Sequence, residues 1–172
     1  EKHNIPVFLM PYTIDGEEKL FDLGKNTDFN DFYNRVKNGA EVSTSTRSPE
    51  DIKEFFENST AECERLGIDK SQICLDMGIG FGKEYKENLA LLTKIGYYKK
   101  EGYPLLLGTS RKRVIGEGSR QAEPKQRTYG NIAADTVAIM QGVDIIRLHD
   151  VLHEKQGIYM AQALRESYEN RI

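Results

Sequence analysis

The sequence predicts an α/β protein with a parallel sheet, made of about four strand-and-helix units that form the C-terminal half of a TIM (β/α)8 barrel. Strand-like apolar runs alternate with helical runs, an order typical of parallel sheets. Three polar segments each follow such a run: DMGIGFGK at 76–83, GTSRK at 108–112 and IIRLHD at 145–150. Asp76, Ser110 and Arg147 in these segments are 34 and 37 residues apart. That spacing is close to one barrel unit of roughly 31 residues, so the three segments are expected to share one site.

Composition and charge exclude several classes of protein. A net charge of −3 argues against a nucleic-acid-binding surface, where basic side chains dominate. No apolar run reaches the roughly 18 residues of a membrane-spanning helix, and no signal-peptide pattern opens the chain. Cys63 and Cys74 lack metal-ligand spacing and are expected to be reduced thiols. We therefore expect a cytoplasmic protein whose partners are neither nucleic acids nor membranes.

The first unit opens with a short apolar strand, IPVFLM at 5–10. The polar stretch 11–46 is longer than most connections, so we expect a variable loop or insertion with a short helix around 28–38. A helix then begins after Ser48, a favourable N-cap, and ends at Gly67. Its inward face is expected to comprise Ile52, Phe55, Phe56, Cys63 and Leu66.

Three further units follow. Their strands are expected at 73–75, 104–107 and 143–146, and their helices from about 88, from about 128 to 141, and from about 154. Leu91, Leu92 and Ile95 are expected to face inward, and the small side chains of Ala133, Ala134 and Val137 should let the next helix pack closely on the strands. The last helix carries Met160, Ala161, Leu164 and Tyr168. Closing a barrel needs about eight strands, and the chain begins at Glu1 rather than at a methionine. We therefore expect residues 1–172 to be the C-terminal portion of one domain whose N-terminal half is absent.

The glycine-rich segment after the second strand indicates close approach to a ligand. Gly78, Gly80 and Gly82 allow sharp backbone turns. Neither common nucleotide motif fits: Lys83 replaces the last glycine of GxGxxG, and the P-loop pattern fails at both ends. A glycine-rich turn without a ligand is the alternative. Asp76 favours a ligand, because a carboxylate can accept two parallel N–H bonds from an amino-heterocycle.

Ser110 invites a hydrolase interpretation that the sequence does not support. The nucleophile pattern GxSxG fails because Lys112 replaces its last glycine. His149 and Asp150, the candidate partners, are adjacent in sequence, which is a poor arrangement for orienting an imidazole. Three neighbouring cations, Arg111, Lys112 and Arg113, follow a strand, where we expect them to meet anions or carbonyl oxygens; a solvated surface run is the alternative.

The last polar segment carries two donors on one side of the chain. Strand alternation places Arg147 and His149 on the same side. A guanidinium fork beside an imidazole suits the oxygens of a diphosphate. The alternative is a surface arginine with a structural histidine. His149 and His153 are spaced i, i+4, but the turn residues between them argue against a helical metal pair.

Together, these motifs resemble the dihydropteroate synthase family of pterin-binding (β/α)8 barrels. The resemblance covers LDMGIGFGK, PLLLGTSRKRVIG, RTYGNIAAD and IIRLHDV, about residues 73–152, and more weakly 5–10 and the last helix. It implies a transferase of folate biosynthesis. Such an enzyme joins (7,8-dihydropterin-6-yl)methyl diphosphate to 4-aminobenzoate and releases 7,8-dihydropteroate and diphosphate.

The resemblance also implies roles for individual residues. Asp76 and Lys112 would bind the pterin, and Arg147 and His149 would bind the diphosphate. Lys112, Arg147 and His149 would be catalytic. The p-aminobenzoate pocket would comprise Phe81, Ser110, Arg111, Lys112 and Arg113. Mg²⁺ would be held by the N-terminal half and the substrate diphosphate, with no ligand in this chain.

The resemblance further implies a homodimer and a sulfonamide target. Because the family's N-terminal half supplies a metal-binding Asn and a second pterin-binding Asp, residues 1–172 alone are expected to turn over little substrate. Met77 replaces a usual proline, Pro11 a usual histidine and Asn131 a usual threonine. Two alternatives stay open: an enzyme like the methyltetrahydrofolate:corrinoid methyltransferases, and a non-catalytic, synthase-like pterin-binding protein.

Overall fold

A computed structural model of the chain describes residues 7–9, 13–14, 17–18, 34, 38, 42–43, 46–99 and 102–170. The strands are β1 (Val7–Leu9), β2 (Thr13–Ile14), β3 (Glu17–Glu18), β4 (Val42–Ser43), β5 (Ile73–Asp76), β6 (Leu105–Leu107) and β7 (Ile145–Ile146). The helices are α1 (Pro49–Arg65), α2 (Tyr85–Leu92), α3 (Ile95–Tyr98), α4 (Arg113–Gly118), α5 (Thr128–Met140) and α6 (Val151–Glu169). Two 3₁₀ turns, Lys70–Gln72 and Pro124–Gln126, join these elements.

A four-stranded parallel sheet organises the fold, with the strand order β1-β5-β6-β7. In its register Leu9 lies opposite Leu75, and Leu106 lies opposite both Asp76 and Ile145. Helices connect β5 to β6 and β6 to β7, which is the alternation that the sequence predicted. The predicted α/β class is confirmed, and four parallel strands amount to half of an eight-stranded barrel.

A second, antiparallel sheet was not predicted. β2 pairs with β3 and with β4, all within the stretch expected to be a polar loop. Two-residue strands show no hydrophobic periodicity, so the sequence carries no signal for them. Only Asn34 and Asn38 of the helix expected around 28–38 lie within the described residues. The Asn38 N–H donates to the Asn34 C=O at 3.0 Å, the spacing of a helical turn.

Helix α1 begins where the sequence predicted, and its first turn shows why. The Ser48 hydroxyl accepts from the Asp51 N–H at 3.1 Å, and the Asp51 carboxylate accepts from the Ser48 N–H at 2.8 Å. This reciprocal pair satisfies two N–H groups that a helix start would otherwise leave without partners. Gly67 follows the helix with a φ of +76°, a conformation that other residues rarely adopt.

The core lies between the parallel sheet and the helices. Its most enclosed side chains come from β5, β6 and the helices packed on them: Ile52, Phe56, Leu75, Leu91, Ile95, Tyr98, Leu105 and Leu107. Helix α2 begins at Tyr85, three residues before the predicted start, and the short helix α4 was not predicted at all. Within the described residues, no helix has the length and apolar character to cross a membrane.

Several apolar residues of the predicted helices are exposed, among them Leu66, which was predicted to face inward. Leu66 is 60% exposed because it caps α1 rather than continuing its apolar face. On α5 the buried face comprises Asn131, Asp135, Ala138 and Ile139, so Ala133 and Val137 point outward. On α6, Ala161 is buried, whereas Met160, Leu164 and Tyr168 are exposed.

Candidate functional site

The three polar segments meet at one edge of the parallel sheet. They follow the carboxyl ends of β5, β6 and β7, which are neighbours and run in the same direction. A cavity of about 370 Å³ opens there, lined by Gly108, Ser110, Lys112, Arg147, Leu148 and His149. The segments at 77–83 and 108–113 are called the glycine loop and the basic loop below. Carboxyl ends of parallel strands are where ligands bind in this class of fold.

The glycine loop turns back over the end of β5. Gly78, Gly80 and Gly82 have φ values of 62°, 80° and 63°, the left-handed region that favours glycine. The buried Asp76 fixes the start of this turn, because its Oδ1 accepts from the Gly78 N–H at 2.8 Å. Gly80 must also stay small, since a Cβ atom there would lie 2.9 Å from Cδ of Lys112.

Two buried residues that the sequence did not single out support the glycine loop from below. Asn88 accepts from the Gly80 N–H at 2.7 Å and donates to the Lys83 C=O at 3.0 Å. The Lys83 ammonium donates to the Gly78 C=O at 3.0 Å. Burial lowers the pKa of Lys83 to about 8, although the nearby Asp76 carboxylate opposes the shift. The available signal was a polar Asn88 on the inward face of α2.

Lys112 connects the basic loop to the glycine loop. Its ammonium lies 4.6 Å from the centroid of the Phe81 ring and donates to the Ile79 C=O. Burial lowers the pKa of Lys112 to about 8; the Asp76 carboxylate opposes this shift and the Arg147 guanidinium adds to it. A lysine over an aromatic face and beside a carboxylate is ready to donate to a polar, planar ligand.

Arg147 lies beside Gly108, the residue that follows β6. Its backbone N–H donates to the Leu107 C=O at 2.8 Å, which continues the pairing of β7 with β6. A Cβ atom at Gly108 would lie 2.9 Å from Nη2 and 3.0 Å from Nε of Arg147. Because Gly108 has no side chain, the Arg147 guanidinium has room to lie in this part of the cavity.

Ser110 orients His149. The His149 N–H donates to the Ser110 hydroxyl at 3.2 Å, and His149 Nδ1 lies 3.1 Å from the same oxygen. The imidazole is therefore held through Nδ1, and Nε2 is the ring nitrogen left for a ligand. Ser110 itself is buried at the floor of the cavity.

The two flanking arginines of the basic loop are placed differently. Arg111 has a φ of 63°, and its C=O accepts from Nη1 of Arg127 at 2.7 Å. Arg127 was not predicted to take part in the site. Arg113 has a 71% exposed side chain and pairs with Glu117 at 2.8 Å and with Glu84 at 3.8 Å. Arg113 does not line the cavity.

The structure gives the hydrolase and metal interpretations no support within the described part of the chain. The Asp150 carboxylate accepts from the His153 N–H at 3.3 Å and lies 2.7 Å from His153 Nδ1. It is thus directed to His153 rather than to His149, and the Ser110–His149 pair has no carboxylate behind it. Those same residues hold no group of three or more His, Cys, Asp or Glu side chains that could bind a metal ion.

Comparisons with known proteins agree with this geometry. A family model described as pterin binding enzyme matches residues 32–149. The chain is 36% identical over 121 residues to the dihydropteroate synthase of Escherichia coli (strain K12), which covers 70% of this chain and 43% of that protein. The chain therefore spans about half the length of relatives such as this one.

Solved structures show the same likeness. The dihydropteroate synthase of Coxiella burnetii in complex with pteroic acid matches with a TM-score of 0.69 and 30% identity, covering 94% of this chain and 53% of that chain. That of Xanthomonas albilineans with 4-aminobenzoic acid matches with a TM-score of 0.71 and 29% identity, covering 94% and 50%.

A parallel α/β sheet with a cationic cavity at its carboxyl edge defines a ligand-binding domain of the barrel class. The family match confirms the resemblance carried by the three motifs. The chain belongs to the pterin-binding enzyme family.

Proposed function

We propose that the protein is a dihydropteroate synthase that joins (7,8-dihydropterin-6-yl)methyl diphosphate to 4-aminobenzoate. The cavity carries this proposal, because its lining combines Lys112, Arg147 and His149, a set suited to a diphosphate. Lys112 also lies over the Phe81 ring and near the Asp76 carboxylate, and these groups beside the cavity suit a pterin. The relatives named dihydropteroate synthase support it, as do the structures that hold pteroic acid and 4-aminobenzoic acid.

The pterin is proposed to bind between Asp76 and Lys112. The Asp76 carboxylate accepts one backbone N–H and keeps lone pairs for the amino and N–H edge of the pterin ring. In the structure the Lys112 ammonium donates one hydrogen bond, to the Ile79 C=O. An ammonium has three N–H groups, so two remain to donate to the pterin carbonyl oxygen.

The diphosphate is proposed to bind at Arg147 and His149. Breaking the bond between the pterin methylene carbon and the diphosphate oxygen leaves negative charge on the leaving group. The guanidinium fork of Arg147 and the free nitrogen of His149 lie in the cavity where that charge would develop. Both residues are therefore proposed to be catalytic, together with Lys112.

The second substrate supplies the nucleophile. The C–O bond breaks first, so that diphosphate leaves with the electron pair and the pterin ring spreads the positive charge of the methylene carbon. The neutral amine of 4-aminobenzoate then attacks this carbon, a C–N bond forms, and the amine passes one proton to the released diphosphate or to water. The Phe81 ring, Ser110, Arg111 and Lys112 are proposed to hold the aminobenzoate in line for this attack. The predicted contact of Arg113 with the substrate carboxylate requires its side chain to leave Glu117.

The residues that the structure describes hold no group of three or more His, Cys, Asp or Glu side chains that could bind a metal ion, so we propose that Mg²⁺ is held by the N-terminal half of the whole protein and by the substrate diphosphate. No step above is routed through a metal ion. As the chain spans about half the length of its relatives, we propose that residues 1–172 supply one half of a barrel domain and of its site. The whole protein is proposed to act as a homodimer and to be inhibited by sulfonamides.

The test compares two lysine variants. Lys112→Ala removes the proposed pterin contact, whereas Lys155→Ala removes an exposed lysine of α6 and serves as the control. Affinity for the pterin diphosphate is expected to fall roughly ten- to a hundredfold in Lys112→Ala, the effect of one hydrogen bond from a charged donor, and to stay unchanged in Lys155→Ala. Absence of pterin-diphosphate binding by the wild-type protein would contradict the proposal.

Product formation separates the proposal from its alternatives. Dihydropteroate made by the whole gene product from both substrates with Mg²⁺, and lost in Lys112→Ala, would establish the synthase. The 172-residue chain alone is expected to bind substrate but form little product. Pterin-diphosphate binding without any product from the whole gene product would favour a non-catalytic, synthase-like binding protein.

A further inference from the structure

A buried polar cluster beneath the basic loop takes no part in the proposed chemistry. Thr109 follows β6, Asn131 and Asp135 lie on α5, and Glu154 lies in the first turn of α6. All four are almost fully buried; Asp135 is 2% and Glu154 3% exposed. Among the described residues, no cation donates a hydrogen bond to either carboxylate. Two buried carboxylates without a cation require another way to reduce their charge.

The hydrogen bonds of this cluster require one carboxyl proton. The Thr109 hydroxyl oxygen lies 2.8 Å from Asn131 Oδ1 and 3.0 Å from Asp135 Oδ1. A hydroxyl has one hydrogen and can donate to only one of these two oxygens. If Thr109 donates to Asn131 Oδ1, its contact with Asp135 Oδ1 is a hydrogen bond only when Asp135 carries a proton. The opposite orientation of the Asn131 amide would turn its oxygen towards both carboxylates, and that arrangement also requires a carboxyl proton.

Glu154 is the better place for the negative charge. It lies in the first turn of α6, where the helix dipole stabilises an anion, and it accepts from the Asn131 amide. Asp135 lies in the middle of α5 and has no such stabilisation. Burial raises the pKa of Asp135 to about 7; the hydrogen bond that Thr109 can donate to the ionised carboxylate opposes the shift, and the Glu154 carboxylate adds to it.

The cluster is joined directly to the cavity. Thr109 precedes Ser110, the residue that orients His149, and the Thr109 C=O accepts from the Lys112 N–H at 3.0 Å. On the other side, Glu154 lies in the helical turn that follows His149 and Asp150. The cluster is therefore connected to both segments that line the proposed diphosphate site, namely the basic loop and the segment that carries His149.

We propose that Asp135, in its protonated form, is a positioning residue that holds Thr109 and thereby Ser110 and His149 in the geometry needed for diphosphate binding. The identity of the ligand as a diphosphate rests on the proposed function, whereas the position of Ser110 can be observed without any ligand. The groups that face Asp135 are Thr109 from the end of β6, Asn131 from its own helix and Glu154 from α6; of these only Glu154 is charged.

A change in pH should expose this role. Above about pH 7, Asp135 loses the proton that it donates to Thr109, and a second negative charge appears beside Glu154. Because the folded-state pKa lies above the ordinary value of 3.8, the folded protein keeps a proton that the unfolded chain releases. The stability of the fold should therefore fall as pH rises from about 4 to about 7, and level off above that range.

The experiment follows the amide resonances of Ser110 and His149, and the affinity for inorganic diphosphate, across this pH range. In the wild type we expect a step with a midpoint near pH 7 and roughly fivefold weaker diphosphate binding above it, the effect of one hydrogen bond. Asp135→Asn is expected to lack this step, since its amide N–H can donate to Thr109 at every pH. The difference between the two proteins removes every pH dependence that they share.

Two further variants complete the test. Thr109→Val, which removes the hydroxyl, should displace the Ser110 and His149 resonances at every pH, whereas Thr109→Ser should restore them. Glu154→Gln removes the neighbouring charge and should lower the midpoint. A step in Asp135→Asn equal to that of the wild type, or an unmoved midpoint in Glu154→Gln, would overturn the inference. A wild-type step without diphosphate binding would uphold the positioning role and instead contradict the proposed function.

Discussion

Gly108 determines where the charge of Arg147 lies. The guanidinium occupies the space that a side chain at position 108 would need, and its nearest nitrogen lies 2.9 Å from the place of a Cβ atom. Ser110 and Lys112, which lie in the same loop as Gly108, line the same cavity. At the residue scale, the proposed diphosphate site therefore depends on the small size of Gly108 as much as on its cationic side chains.

Gly108→Ala is expected to weaken diphosphate binding with little effect on the fold. The added methyl group meets the flexible end of Arg147, which can swing away, so stability should change by less than about 1 kcal/mol. Affinity for diphosphate should fall about tenfold, since displaced hydrogen bonds to a charged group contribute this much. Titration calorimetry and thermal unfolding measure the two effects.

Gly96→Ala provides the matched control. A Cβ atom there would lie 3.5 Å from the Gln141 C=O, an ordinary contact, in a short helix away from the cavity. This variant should bind diphosphate like the wild type. Equal affinities in the Gly108→Ala and wild-type proteins would show that Arg147 does not need its observed place.

Helices α2 and α5 each contribute to the site through buried polar side chains, whereas α1 does not. Helix α2 presents Asn88 to the glycine loop, and α5 presents Asn131 and Asp135 to the end of β6. Helix α1 contributes only by packing, with Ile52 and Phe56 in the core. At the element scale, stability and ligand binding should therefore be separable by changes in α1.

Ser48→Ala tests this separation. Loss of the N-cap should lower the free energy of unfolding by about 1 kcal/mol, because the Asp51 N–H loses its acceptor. Ser59→Ala, in the body of the same helix, should be neutral or slightly stabilising. Urea denaturation measures both. Equal stabilities of the two variants would contradict the capping role, and ligand affinity should be unchanged in both.

The surface of α6 is the main feature at the scale of the whole molecule. Tyr159, Met160, Leu164 and Tyr168 are large, apolar and exposed, and Tyr168 is 73% exposed. Ile145 of β7, the strand at one end of the described parallel sheet, is also exposed. A surface of this kind is typical of contact with another chain or domain. The homodimer that we propose would cover part of it.

Leu164→Glu is expected to weaken self-association of the whole protein without unfolding the chain. Leu164 is 47% exposed, so a carboxylate there stays hydrated in the single chain but is buried in a contact. Sedimentation velocity should show a shift from dimer towards monomer. Glu166→Gln, on an exposed part of the same helix, is the control and should keep the dimer. An unchanged dimer in Leu164→Glu would place the interface elsewhere.

The sequence alone determined the fold class and the order of the strand-and-helix units, and it named most of the residues of the proposed site. Continuous apolar strands, capped helices and glycine-rich or charged strand ends are local patterns, and local patterns are readable because backbone geometry imposes them. Charge at the end of an apolar strand has few structural explanations. The sequence therefore indicated four candidate site residues: Asp76, Lys112, Arg147 and His149.

Only the tertiary structure decided which polar side chains support the site. Asn88, Lys83, Arg127 and Asp135 look like ordinary polar residues, and their roles appear only when the chain brings them to backbone groups or carboxylates far away in sequence. The same holds for the outward turn of Arg113, which depends on Glu84 and Glu117. Burial and long-range hydrogen bonding are properties of packing, and neither periodicity nor spacing in the sequence specifies them.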